Sequence, residues 1–159
     1  MPASGRRNRR ADELSELDKG IIQHLQQDGR RAFTQIAAAL GVSEAAVRAR
    51  TNRMIERGIL QVVGVADPGK LGFQQALIGI RCEPGRLLEV ADALAALAEV
   101  DYVVITAGRF DILIETVAED NEDLLQFLNE RLQRIDGVRD TETFSYLRLV
   151  KQTYQFGTR

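Results

Sequence analysis

The four residues Leu40-Gly41-Val42-Ser43 constrain this chain more than any other stretch, because they join two short segments of helical periodicity. Upstream, the segment from Thr34 places Ile36, Ala37 and Leu40 on one helix face; downstream, Ser43 followed by Glu44 opens another helix with an N-cap and an acid in its first turn. Gly41 can take the backbone angles of a tight turn, and Val42 then tucks into a core. A preceding helix carries Leu17, Ile21, Ile22 and Leu25 on one side and stops at Asp28-Gly29. Three short helices with this turn between the last two predict a helix-turn-helix domain over residues 13–59.

The third helix, Ser43 to about Arg57, has two unlike sides. At 100° per residue Val47, Thr51, Met54 and Gly58 fall together, and Ala45, Ala49, Asn52 and Arg53 lie opposite, flanked by Arg48. Small residues allow a helix to approach the floor of the major groove, and Arg and Asn can bond guanine and adenine edges with two hydrogen bonds each. A merely solvated helix would mix Glu and Lys at i, i+4 spacing, whereas Arg48, Arg50, Arg53 and Arg57 here face only Glu44 and Glu56. The expected contacts to double-stranded DNA are Thr34, Ser43, Glu44, Ala45, Arg48, Ala49, Asn52 and Arg53.

Charge agrees with that division. Residues 1–66 hold 11 Lys and Arg against 7 Asp and Glu, and residues 67–159 hold 10 against 16. A basic half joined to an acidic half fits a nucleic-acid reader with a separate second domain. Residues 1–12, with Arg6, Arg7, Arg9 and Arg10 and no apolar periodicity, are expected to form a flexible basic arm. With 159 residues, 45% hydrophobic and 28% charged, the chain can bury small cores. No run approaches the roughly 20 apolar residues of a membrane span, so no membrane partner and a cytoplasmic location are expected. The single cysteine, Cys82, cannot form an intrachain disulfide, and one Cys with one His, His24, argues against a thiolate or imidazole metal cluster within a single chain. His24 reads as a structural or surface residue and Cys82 as a buried, inert thiol.

Beyond the helices, Ile59–Ala66 is a β-branched run ending at Asp67-Pro68-Gly69, which predicts a strand and linker over residues 60–70 and a winged type of helix-turn-helix. The remainder alternates. Strands are expected at Phe73–Cys82, Val100–Ala107, Phe110–Val117 and Val138–Val150. Helices are expected at Arg86–Ala98 and Asn121–Ile135, the latter bearing Leu124, Leu125, Leu128 and Leu132. The order βαββαβ predicts an α+β chain whose residues 71–159 form a ferredoxin-like domain. Its antiparallel sheet would carry both helices on one face and leave the other free for another subunit.

These residues resemble the leucine-responsive and asparagine-operon (Lrp/AsnC) regulators. The landmarks run from Leu17-Asp18 with Ile21-Ile22 and Leu25, through Asp28-Gly29-Arg30, Ile36-Ala37, Leu40-Gly41-Val42-Ser43, Val47, Arg50 and Gly58-Ile59, to Gly108-Arg109-Phe110-Asp111 and Gly137-Val138 with Thr141 and Thr143. Their joint order and spacing cover the chain from about Leu14 onward. Ser15 stands where the family often has Asp, and Thr51 where it usually has an aliphatic residue, a departure expected to loosen the packing of the third helix.

The resemblance implies a regulator whose C-terminal domain pairs with its twin. Such dimers often assemble further, into an octamer of four dimers, and bind an amino acid or similar metabolite between subunits. It places that effector at Thr106, Ala107, Gly108, Arg109, Phe110 and Asp111. Glycine there permits close backbone approach, exposed N–H groups can hold a carboxylate, and the Asp111 carboxylate can take an α-ammonium. Read without the resemblance, Gly108-Arg109 is an ordinary hairpin turn. An architectural, nucleoid-type protein that binds DNA without an effector is the alternative. No nucleophile–base pair, metal spacing or phosphate-binding glycine loop points to an enzyme, so neither catalytic residues nor a cofactor is expected.

Overall fold

A computed structural model describes residues 14–153; the expected basic arm at residues 1–12 lies outside them. The described residues divide into two compact units, one of residues 14–64 together with residues 152–153, the other Val65–Lys151. The division falls inside the expected linker. No described helix is long and apolar enough to cross a membrane.

The first unit holds α1 (Glu16–Gln27), α2 (Phe33–Leu40) and α3 (Glu44–Glu56). Ser15 caps α1 in a reciprocal box with Asp18: its hydroxyl accepts from the Asp18 N–H, and the Asp18 carboxylate accepts from the Ser15 N–H. Gly41 ends α2 at φ 68°, a left-handed conformation that a side chain would strain, and Val42 N–H donates back to the Ala37 carbonyl at 3.0 Å. Ile21, Ile22, Leu25, Ile36, Ala37, Val47, Met54 and Leu60 form the core, and Leu17, Phe33, Leu40 and Val42 pack against it.

Two expectations fail here. Residues Ile59–Ala66 form no strand, and no wing is present among the described residues. β-branched composition favours an extended backbone but supplies no hydrogen-bonding partner, and Val62, Val63 and Val65 stand 48%, 69% and 54% exposed. Leu60, assigned to the linker, is instead buried in the helical core. Thr51 is buried on the core side of α3, where its hydroxyl donates to the Val47 carbonyl at 2.9 Å and so is not left unsatisfied.

The second unit begins with a 3₁₀ turn, Pro68–Leu71, and continues as β1 (Gln74–Cys82), α4 (Leu87–Ala95), β2 (Val100–Ile105), β3 (Ile112–Ala118), α5 (Asn121–Gln126) and β4 (Val138–Ser145). All pairings are antiparallel, in the order β2-β3-β1-β4, the ferredoxin-like arrangement. Ala76, Ile78, Ile80 and Cys82 of β1 and Ile112, Ile114 and Ala118 of β3 face Val90, Leu94, Leu124, Phe127 and Leu132 in one core.

β4 stops at Ser145 rather than Val150, because its partner runs out: the Tyr146 N–H makes a last bond to the Gln75 carbonyl and β1 begins one residue earlier. The expected single helix to Ile135 is α5 followed by a π-turn, Phe127–Arg131, and a 3₁₀ turn, Leu132–Arg134. Leu124, Phe127 and Leu132 are buried and Leu125 is half exposed. Leu125 lies about 100° around the helix from the buried Leu124, so both cannot face the sheet.

Candidate functional site

The helical unit presents its candidate contacts outward. Val47, Thr51 and Met54 anchor α3 to the core, which turns Ala45, Arg48, Ala49, Asn52 and Arg53 to solvent. Thr34, at the start of α2, and Ser43 are exposed as well. Ser43 also has a structural task, since its hydroxyl accepts the Ala46 N–H at 3.2 Å and caps α3. Glu44 does not stand alone: its Oε1 lies 2.5 Å from Arg48 Nη2, and the Arg48 guanidinium rests 5.3 Å from the centre of the Phe33 ring.

Arg50 departs from the expectation that the arginines of α3 face only Glu44 and Glu56. It reaches back to α1, donating to Asp18 Oδ1 at 3.1 Å and to the Ser15 hydroxyl at 3.0 Å. Burial alone would raise the Asp18 pKa, but the Ser15 hydroxyl and the Arg50 guanidinium outweigh it and hold the carboxyl below its ordinary range. Ser15 thus does the capping work that an Asp would do there. His24 is half-buried and contacts the Arg31 guanidinium.

The second candidate, residues 106–111, connects β2 to β3. Ala107, Gly108 and Arg109 are exposed, and Phe110 and Asp111 are half-buried. Thr106 closes the loop on itself, and Asp111 ties it to β1. Thr106 Oγ1 donates to the Phe110 carbonyl at 2.6 Å, and Thr106 N–H donates to the Asp111 carbonyl at 2.8 Å. Asp111 N–H bonds the Ile80 carbonyl, and Asp111 Oδ2 accepts the Cys82 N–H at 2.8 Å, where the β1–β4 register shifts. The Asp111 carboxylate therefore holds the end of β1 with one oxygen, a role not foreseen from the sequence. Burial, with that carboxylate next, pushes the Cys82 thiol upward, in keeping with an inert residue.

Phe110 lies over the open face of the sheet, against Gly79. A Cβ on Gly79 would stand 2.6 Å from the ring, so only glycine admits it. The Phe144 ring meets Phe110 edge-on at 6.4 Å, and Arg109 spans from Phe110 to Glu142, its Nη2 2.9 Å from Oε2. Sequence reasoning missed Gly79 and Phe33. An isolated glycine inside a β-branched strand is itself a sign of close approach; Phe33 carried no sign beyond its place beside an apolar face.

Residues 14–55 match the family model of the AsnC-type helix-turn-helix domain, and residues 75–156 match that of the Lrp/AsnC ligand binding domain. The chain belongs to the Lrp/AsnC family of transcriptional regulators. It is 40% identical over 141 residues to an uncharacterised HTH-type transcriptional regulator of Pyrococcus furiosus, covering 87% of this chain and 95% of that one. The structure of AsnC from E. coli, 26% identical, superposes with a TM-score of 0.74 over 89% of this chain and 97% of that one. A regulator from Neisseria meningitidis, solved in complex with L-Met, shares the fold at 22% identity and a TM-score of 0.76, covering 91% and 97%. In Lrp/AsnC terms, α2 and α3 lie in the helix-turn-helix match, and the 106–111 loop lies in the ligand-binding match.

Proposed function

We propose that this chain is a sequence-specific DNA-binding transcriptional regulator whose assembly or DNA affinity responds to a small metabolite, an amino acid. One observation carries the DNA half: the face of α3 opposite its buried residues exposes two alanines together with Arg48, Asn52 and Arg53. Short side chains allow the helix to enter the major groove, and the longer ones supply donors and an acceptor to base edges.

The effector half rests on the 106–111 loop within the ligand-binding match, where Gly108 leaves the backbone open and Asp111 offers a carboxylate to an ammonium group. The L-Met bound to the Neisseria relative supports an amino acid as the class. Tyr102 and Phe144 stand 52% and 43% exposed on strands of the helix-free sheet face, which supports pairing through that face into dimers and, as the resemblance implies, an octamer of four dimers. A ligand shifts assembly only through different affinities for two states, which favours a pocket near a subunit boundary.

Arg53→Ala tests the assignment. It is expected to weaken binding to a cognate duplex by roughly 1–3 kcal/mol and leave the melting free energy within about 0.5 kcal/mol. A panel of amino acids screened by thermal shift tests the effector, since a ligand at 100 times its Kd adds about 2.7 kcal/mol. Equal competition by cognate and random duplexes, with no amino-acid response, would favour the architectural alternative.

A further inference from the structure

We infer that Glu44 and Phe33 act as specificity determinants: together they hold Arg48 as a base-reading side chain and keep it from serving as a phosphate contact. The inference rests on the reading of α3 as the DNA-entering helix.

Two partners fix the guanidinium of Arg48. Glu44, one turn earlier on α3, takes Nη2 at 2.5 Å, and Phe33, the first residue of α2, sets its ring 5.3 Å from the guanidinium carbon. A Glu placed four residues before a cation is the favourable order on a helix, and the guanidinium plane suits an aromatic face. The Glu44 carboxylate draws Arg48 toward the first turn of α3, the part of a recognition helix that meets base edges, and the Phe33 ring limits its swing. The side chain is still 59% exposed, and one carboxylate oxygen leaves most of its five donors free.

Charge then separates the two ways an arginine can meet DNA. A phosphate contact gains from an unopposed positive charge, whereas the Glu44 carboxylate cancels that charge locally and would itself be repelled by the phosphate. Guanine O6 and N7 are neutral acceptors reached by two parallel donors, a geometry that rewards a fixed guanidinium more than net charge. Pinning by Phe33 and Glu44 reduces the rotamer freedom lost when that contact forms. The same carboxylate penalises non-cognate duplexes, so specificity comes partly from a repulsive element. Arg53 differs: it is exposed on the same face with no acidic neighbour one turn earlier, where Ala49 stands.

The test uses the full chain, a duplex selected by the wild-type protein from a randomised pool, and a scrambled duplex of the same composition. Arg48→Ala is expected to lower affinity for the selected duplex about tenfold or more and to change the scrambled one little. Glu44→Gln should tighten the scrambled duplex several-fold and steepen its log–log salt slope by about one. Phe33→Leu should weaken only the selected duplex, and Phe33→Tyr, which keeps the ring, should restore it. Melting curves confirm folding; should Phe33→Leu unfold, Arg48→Ala and Glu44→Gln still decide. Parallel losses on both duplexes in Arg48→Ala, or an unchanged ratio in Glu44→Gln, overturn the inference. So does binding without enrichment of any sequence. Failure of the wild type to bind any duplex at about 50 mM salt instead sinks the reading of α3 itself.

Discussion

The two candidate sites are built in opposite ways. On α3 most of the side chains offered to DNA face solvent: Val47, Thr51 and Met54 anchor the helix, while Ala45, Ala49, Asn52 and Arg53 are exposed, with Ser43 capping the helix and Arg48 resting on Phe33 as the exceptions. In the sheet unit, by contrast, the loop is part of the fold itself: Thr106 closes it on the Phe110 carbonyl, Asp111 bonds β1 and Phe110 packs on Gly79. Ala45, Ala49, Asn52 and Arg53 can therefore be changed with little effect on stability. A change in the loop alters both the site and its support. The contrast can be broken by showing that the loop tolerates substitution as α3 does.

The largest expected effect sets the scale for the sheet unit. Ile78→Ala, at a wholly buried position of β1, should cost roughly 2–5 kcal/mol. Chemical denaturation should show the loss in the sheet unit's transition, and affinity for an amino-acid effector should fall with it. Next comes Gly79→Ala, which places a methyl 2.6 Å from the Phe110 ring and should cost about 1–3 kcal/mol. If the cost comes from displacing that ring, Phe110→Ala in the same chain should remove most of it, and a double-mutant cycle measures the coupling.

Asp111 sharpens the comparison, because its structural role and its proposed ligand role meet on one carboxylate. Asp111→Ala leaves the Cys82 N–H without its acceptor and should cost about 1–2 kcal/mol by thermal melting. Asp111→Asn keeps an acceptor oxygen but loses the charge, so it should melt close to the wild type while losing the proposed ammonium contact. Stability retained and ligand response lost in the Asn variant would separate the roles; loss of neither would remove Asp111 from the effector site.

How much was legible follows the same divide. The faces of α3 could be read at 100° per residue because local periodicity alone decides them, and the Gly41 turn could be read because glycine is the residue that adopts a left-handed φ freely. The strand order came from the alternation of elements and a short list of allowed topologies. What escaped depended on partners distant in sequence. Ile59–Ala66 has the composition of a strand but no ladder to join, and β4 ends where β1 runs out. The Arg50–Asp18 bridge spans 32 residues and the Asp111–Cys82 bond 29, and no local pattern encodes either. The Arg48–Phe33 contact lay within the helix-turn-helix, yet reading it required the angle between α2 and α3.

Asp18 gives the smallest effect and carries the contrast into the helical unit, where one functional element does have a support. Its carboxyl titrates below the ordinary value of 3.8, because the ionised form is held by the Ser15 hydroxyl and by Arg50 of α3 despite burial. A depressed native value means that the ionised carboxylate stabilises the fold above about pH 4. That contribution disappears as the pH falls through the lower native value. Urea midpoints of the helical unit should therefore decline below about pH 4 in the wild type, and Asp18→Asn should flatten that part of the curve. At neutral pH the substitution should cost about 1 kcal/mol, the usual effect of a weakened cap. Since Arg50 grips α1 from the half-buried flank of α3, the variant should also weaken cognate DNA binding slightly, by letting the helix shift on its core. An unchanged acid limb would show that Arg50 and Ser15 hold Asp18 no more tightly than solvent does.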